Sequence, residues 1–300
     1  MKSRGDLNTE KQNPQSVSID SMSVEDILGL INKEDSLVSG VVKKSIPEIK
    51  KTVKFTVQSI KNGGRVFYIG AGTSGRLGVL DASEIPPTYS APENYFIGLI
   101  AGGDDALRKS IEGAEDHPDG AINDLEPFNI TKNDTVIGIS CSGAAAYVIA
   151  ALDYARNRDA KTVYLITNPD PYKMTKVDII IHADTGPEIV TGSTRMKAGT
   201  ATKLILNMIS TATMIKLGKV YRNLMVDLMT VNDKLIDRGT RIISELTGLD
   251  YTEAQKRLFS AEKSVKVAVV MEILQCSVNE ARERLKNVDG FLYSIIDTQK

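Results

Sequence analysis

Apolar residues change their spacing twice along this chain. Ser23-Val24-Glu25-Asp26 precedes Ile27, Leu28, Leu30 and Ile31. It reads as a capping box opening a helix, with Ser23 at the N-cap and Asp26 in place of the usual glutamate. Val38, Val41, Val42, Ile46, Ile49 and Val53 predict a second helix, which Asn62-Gly63-Gly64 ends. The period then shortens. Residues 65–69, 95–100, 134–140, 161–167 and 177–183 are short β-branched runs separated by helical or loop stretches. Such alternation predicts a parallel α/β sheet covered on both faces. From about residue 200 the helical period returns. One long apolar helix ends at Gly218, and another is expected over 224–248. Three short patterns at 251–261, 265–274 and 277–286 then predict a compact helical appendage.

Charge narrows the possible partners. The 300 residues carry 37 Lys+Arg against 38 Asp+Glu, a formal net charge of −1. A protein that holds nucleic acid or an anionic membrane by bulk charge needs a basic face, so both classes are disfavoured. Aromatics are 5% and Trp is absent, which disfavours a base-stacking platform. The two cysteines, Cys141 and Cys276, lie far apart with no Cys/His cluster near either. A disulfide framework or zinc site is not expected, and a cytoplasmic home fits. The first 15 residues lack an apolar stretch, so no signal peptide is read, and no run approaches the roughly 20 apolar residues of a membrane span. His117 and His182 are isolated, which argues against a metal. A phosphate-binding P-loop motif is absent.

In a parallel sheet the working site lies beyond the carboxyl ends of the strands. The first strand runs into Gly70-Ala71-Gly72-Thr73-Ser74-Gly75. This matches the dinucleotide fingerprint formally, but the next strand ends in Ala101-Gly102-Gly103 without the acid that a ribose requires. Hydroxyls and free amides at a helix start suit a phosphate monoester better. The third strand ends in Ser140-Cys141-Ser142-Gly143, a second hydroxyl-rich turn that opens a helix. Either serine could simply cap that helix. Two such loops in one sheet favour a phosphate. A third polar stretch, residues 188–197, puts Glu188, Ser193, Arg195 and Lys197 just after the fifth strand. It resembles a polyol-phosphate contact loop, although its charges could also be ordinary solvated ones. Glu84, ahead of Pro86, and Glu115 are each a solvated charge or, near a phosphate pocket, an acid–base pair. Pro86 is expected to stop the helix that begins at the glycine loop.

Three blocks carry a resemblance: GAGTSGRLGVLDASEIPPTY, LIAGGDDALRKSIEGAED, and EIVTGSTRMKAGTATKLILNMISTATMIKLGKVYRNLMVDL. They resemble the bacterial N-acetylmuramic acid 6-phosphate etherases of the sugar isomerase (SIS) group, from about Asn13 to near the C-terminus. The resemblance implies a three-layer α-β-α sandwich, α/β in class. Its five-stranded parallel sheet has flavodoxin-like order, with N-terminal helices and a small C-terminal helical domain. The expected organisation is a flexible segment at 1–20, helices at 21–56, the SIS domain at 57–220, a linking helix at 221–249 and a three-helix domain at 250–300. The implied reaction cleaves the D-lactyl ether of N-acetylmuramic acid 6-phosphate, giving N-acetylglucosamine 6-phosphate and (R)-lactate. The family pattern places the proton donor at Glu84 and a second acid/base at Glu115. It places the phosphate on Gly72, Thr73, Ser74, Ser140, Ser142 and Gly143, and the sugar on Glu188, Ser193 and Arg195. No cofactor or metal is implied. A homodimer with a small-molecule sugar phosphate as ligand is. Where the family commonly continues Arg-Thr-Pro or Thr-Thr-Pro after Ser142-Gly143, this chain has Ala144-Ala145-Ala146. Two other functions of the same fold compete, a sugar-phosphate isomerase and a non-catalytic sugar-phosphate-binding regulator.

Overall fold

The computed structural model describes residues 3–297. It divides into two compact units. The first holds the chain up to Ser83 together with Asn94–Ser210, and the second holds Glu84–Glu93 together with the chain from Thr211 onward.

The first unit opens with three short 3-10 turns, then α1 (Val24–Asp35), α2 (Val38–Lys44) and α3 (Ile46–Lys61). Ser23 caps α1 as expected, its hydroxyl accepting from the Asp26 amide at 3.2 Å. The single helix expected from Val38 to the stop at Asn62-Gly63-Gly64 ends where expected but is two helices, divided at Ser45. Pro47 lacks the N–H that would carry the helix across this point and sits in the first turn of α3, where none is needed. There follow β1 (Val66–Gly70), α4 (Gly72–Tyr89), β2 (Phe96–Ile100), α5 (Asp105–Arg108), α6 (Pro118–Leu125), β3 (Thr135–Ile139) and α7 (Ala146–Arg156). Then come β4 (Lys161–Ile166), β5 (Ile179–His182) and α8 (Lys197–Lys216).

All five β-branched runs are strands, paired in parallel in the order β2-β1-β3-β4-β5. Every residue of β1 and β3 is buried, as both faces must be in a covered parallel sheet. Phe67, Ile69, Val136, Tyr164 and Ile166 pack with Val148, Ala151 and Leu152 of α7 on one face. Tyr68 points to the other face, under Gly78 of α4. Pro86 does not stop α4, which runs through Pro86 and Pro87 to Tyr89. Each proline removes one intrahelical donor, but its fixed φ is still a helical one.

The second unit continues with α9 (Asp233–Thr247), α10 (Tyr251–Ser260), α11 (Val265–Leu274), α12 (Val278–Asn287) and α13 (Tyr293–Ile296). Ile243, Leu258, Val269 and Ala281 are fully buried at its centre. The helix expected over 224–248 begins only at Asp233, where the Asn232 side chain accepts from the Leu235 amide. Upstream the chain is a turn and irregular stretch in which Val226, Leu228 and Thr230 are buried at every second position, a pattern that a count of apolar residues alone does not separate from a helix. Ser277 and Glu280 form a reciprocal capping box on α12.

Candidate active site

β1 and β3 lie side by side, with Gly70 level with Ile139. The chain leaves β1 toward β2 on one side and leaves β3 toward β4 on the other. The order of the sheet reverses here, and a crevice opens at such a point. A cavity of about 320 Å³ occupies this position, walled by the loops after both strands.

The first loop is shaped by contact. A Cβ on Gly75 would lie 2.6 Å from Ile100 Cγ1 and 2.7 Å from Gly70 O, so only glycine lets α4 start this close to the strand. Gly72, at φ +52°, turns the chain into the helix. The first intrahelical bond here runs from the Gly75 amide to Ala71 O at 3.2 Å. The amides of Gly72, Thr73 and Ser74 precede it and have no helical partner. Gly72, Thr73 and Ser74 all line the cavity. The Ser74 hydroxyl is buried and lies 3.6 Å from the Cys141 thiol of the second loop. Burial pushes that thiol's pKa up, against the hydroxyls of Ser74, Thr167 and Thr194.

The second loop is used differently. Ser140 and Ser142 line the cavity, but Gly143 does not. Gly143, at φ +69°, gives its amide to Ser140 O at 3.1 Å, and a Cβ there would meet Pro171 Cα at 2.6 Å. Its amide is spent on the turn and its glycine on a backbone contact. The Ser142 hydroxyl accepts from the Ala144 amide at 3.2 Å, which leaves its own proton free to be donated. Ala145 is the N-cap of α7 and offers no side-chain cap. The opening amides of α7, ahead of the Ile149-to-Ala145 bond, therefore lack a cap beside the cavity.

Of the two glutamates, Glu115 lines the cavity from a 3-10 turn at Ala114–Asp116. It also lines a neighbouring cavity of about 280 Å³. There the Arg76 guanidinium is tied to Leu107 O at 3.2 Å and Lys109 O at 2.9 Å. Glu84 is exposed on α4 and is not among the residues lining either cavity.

The third stretch is chiefly architectural. Glu188 is fully buried and accepts from the Lys197 amide at 3.1 Å and the Ala198 amide at 2.9 Å, capping α8. Burial raises its pKa, opposed by those two amides and the Lys197 charge. The Lys197 ammonium pairs with Glu34, both buried, so it does not serve the cavity. Ser193 closes a turn onto Val190 O at 2.9 Å, and Arg195 is exposed. Neither lines the cavity, whereas Thr194 between them does.

Sequence reasoning also missed Arg4, Leu7 and Glu10, which line the cavity from the N-terminal segment. That segment reads as polar and flexible, yet Leu7, Thr9, Asn13 and Ser16 are buried. Apart from Leu7 the buried side chains are polar, and Thr9 and Asn13 find their partners far away at Asn168 and Glu34, so hydropathy does not mark the segment.

The model of the glucokinase regulatory protein N-terminal SIS domain matches residues 48–156, and that of the SIS domain matches residues 117–212. A protein of Oceanobacillus iheyensis named N-acetylmuramic acid 6-phosphate etherase is 51% identical over 95% of this chain and 97% of its own. Proteins of the same name from Brucella anthropi and Francisella philomiragia are 48% and 49% identical, over 98% and 96% of this chain and 96% and 98% of theirs.

Proposed function

The chain belongs to the N-acetylmuramic acid 6-phosphate etherase family, and from that premise we propose that the cavity between β1 and β3 holds the substrate while its ether is cleaved. The enzyme breaks the D-lactyl ether of N-acetylmuramic acid 6-phosphate to give N-acetylglucosamine 6-phosphate and (R)-lactate. In the ring-opened sugar the C1 aldehyde acidifies the C2 proton. A base removes that proton, the C3–O bond breaks with the electron pair going to the departing oxygen, and an acid protonates that oxygen. Water then adds to C3 of the enal and a proton returns to C2. Only protons, the departing lactate and one added water move, with no net change of oxidation state, so general acid–base groups suffice and the reading needs no cofactor.

One observation carries this reading. Glu115 shares the wall of a single cavity with the hydroxyls of Thr73, Ser74, Ser140 and Ser142 and the opening residues of α4. In this proposal those hydroxyls and amides hold the phosphate, and Glu115 is the acid/base that serves C2 and the incoming water. Glu84 is assigned as proton donor by its place in the family pattern. The buried carboxylate of Glu188 fixes the start of α8 rather than touching sugar.

Lactate release from the muramic acid phosphate tests the proposal. Glu115→Gln is expected to lower kcat at least about 10²-fold, while N-acetylglucosamine 6-phosphate still binds. Wild-type turnover by that variant would remove Glu115 from the chemistry. A fructose phosphate appearing in place of lactate would make the protein an isomerase. Tight binding without turnover would make it a regulator.

The proposal extends to a homodimer in the cytoplasm. No helix among the described residues is long and apolar enough to cross a membrane, and Cys141 and Cys276 are free thiols. Sedimentation at the mass of one chain would sink the dimer.

A further inference from the structure

Besides the buried Leu7, the N-terminal segment is built into the cavity wall by polar contacts. Thr9 and Asn168 are both fully buried. The Thr9 amide donates to Asn168 Oδ1 at 3.3 Å, and Asn168 Nδ2 donates to Thr9 Oγ1 at 3.0 Å. The same Nδ2 donates to Cys141 O at 3.0 Å. One buried amide beyond the end of β4 thus ties the segment to the loop that walls the cavity. Asn8 Nδ2 adds bonds to both carboxylate oxygens of Asp184, at 3.1 and 3.0 Å. Asn13 Nδ2 donates to Glu34 at 2.9 Å, the acid that pairs with Lys197.

The segment brings a charge that the rest of the wall lacks. Arg4 is the cationic side chain among the described residues lining the cavity, which also holds Glu10 and Glu115. The two cations that the sequence offers for this duty are elsewhere, Lys197 on Glu34 and Arg195 outside the lining. The Arg4 guanidinium lies over the Tyr172 ring, 5.7 Å from its centroid. The Tyr172 amide donates to Ser142 O at 3.0 Å, so the backbone that carries the ring is tied to the cavity loop. An arginine parked on an aromatic face keeps its fork of N–H donors in plane and available at the edge, the geometry that reads a phosphate or carboxylate in bidentate fashion.

We propose that residues 3–10 are a strap across the substrate cavity, latched by Asn168, and that Arg4 on this strap binds an anionic group of the substrate. The inference rests on the sugar-phosphate reading above for the identity of the ligand. The substrate carries two anions, the 6-phosphate and the lactyl carboxylate, and the product N-acetylglucosamine 6-phosphate carries only the first.

The test compares wild type, Arg4→Gln and Thr9→Val, all as full chains. Arg4 is exposed, so its variant folds. Arg4→Gln is expected to raise KM for N-acetylmuramic acid 6-phosphate about tenfold, with kcat within about twofold, as loss of a charge-assisted hydrogen bond in uniform binding requires. If the Kd for N-acetylglucosamine 6-phosphate, titrated calorimetrically, rises by the same factor, Arg4 binds the phosphate. If that Kd is unchanged while KM rises, Arg4 binds the carboxylate. Either result supports the proposal. Thr9→Val removes the latching hydroxyl at nearly constant volume. It is expected to speed tryptic cleavage at Lys11 and to raise KM in parallel. Unchanged KM and Kd in Arg4→Gln would overturn the proposal, as would a faster cleavage in Thr9→Val without any change in KM. Wild-type protein that binds the sugar phosphate but releases no lactate would refute the etherase reading alone, because the effect of Arg4→Gln on Kd is read without turnover.

Discussion

The two ends of the sheet carry similar polar residues put to opposite uses. At the amino ends, Asp134 opens β3 and is almost wholly buried. Its Oδ1 accepts from the Arg65 amide at 2.8 Å and from Arg65 Nε at 3.1 Å. Its Oδ2 accepts from the Thr131 amide at 2.8 Å and pairs with the Arg65 guanidinium at 3.0 Å. Asp178 binds Thr162 in the same manner, through its amide and its hydroxyl. Donors and acceptors there are consumed by each other. At the carboxyl ends, Ser142 keeps a donatable proton, the buried Ser74 hydroxyl meets only the Cys141 thiol at 3.6 Å, and the first amides of α4 and α7 lie ahead of any helical bond. A saturated polar cluster at one end stabilises the sheet. An unsaturated one at the other end is what the proposed function uses to hold an anion, and on that proposal the difference in saturation, more than the residue types, separates structure from function.

The largest effect is expected at Asp134. Asp134→Ala leaves the half-buried Arg65 guanidinium and two amides without their acceptor, and is expected to destabilise the protein by about 3 kcal/mol. Thermal or urea unfolding measures this, and KM should not move. Burial alone would raise this carboxyl's pKa, but the hydrogen bonds from Arg65 and the amides of Thr131 and Arg65 bring it below the ordinary value. The folded state therefore holds the charge more firmly than the unfolded chain does. The stability it confers is present above the unfolded value of about 4 and is lost as pH falls through the lower folded value. The variant should lack this part of the acid limb. A changed KM with unchanged stability would mean that the two ends are not separated in function.

Ser74→Ala probes the other end and should show the reverse pattern. Loss of one charge-assisted hydrogen bond to phosphate is worth about 1.5–3 kcal/mol, or a KM raised at least about tenfold, with little change in unfolding. Unchanged KM would remove Ser74 from the phosphate contacts, and lowered stability would make it a structural residue like Asp134.

The two ends also differ in how far the sequence reveals them. The β-branched runs at 65–69 and 134–140 locate the strands, and the glycines and serines that follow locate both loops, because short-range chemistry dictates each. Long-range polar pairing left no such trace. The partner of Thr9 is Asn168 and that of Lys197 is Glu34, so the segment at 1–20 reads as flexible and the lysine as a free cation. The irregular stretch at 226–230 reads as helix because an apolar-rich run does not by itself distinguish the two. Glu84 and Glu115 read alike, as lone acids near helix ends, and only the fold places Glu115 on the cavity wall.

The smallest effect is expected where the two loops differ from each other. The α4 loop presents hydroxyls at the helix start. The α7 loop reaches its N-cap with Ala145, where the family pattern has a threonine, and with Ala146 where it has a proline. A threonine at an N-cap accepts from an amide of the first turn and is worth about 1 kcal/mol over alanine. Ala145→Thr is therefore expected to raise the midpoint of thermal unfolding by about 2 °C. Its effect on binding decides what the missing hydroxyl did. If the threonine donates to phosphate, KM falls by a few fold. If instead it occupies an amide that now serves the anion, stability rises while KM stays level or increases. The second outcome would mean that the alanine run leaves backbone amides to do at α7 what hydroxyls do at α4.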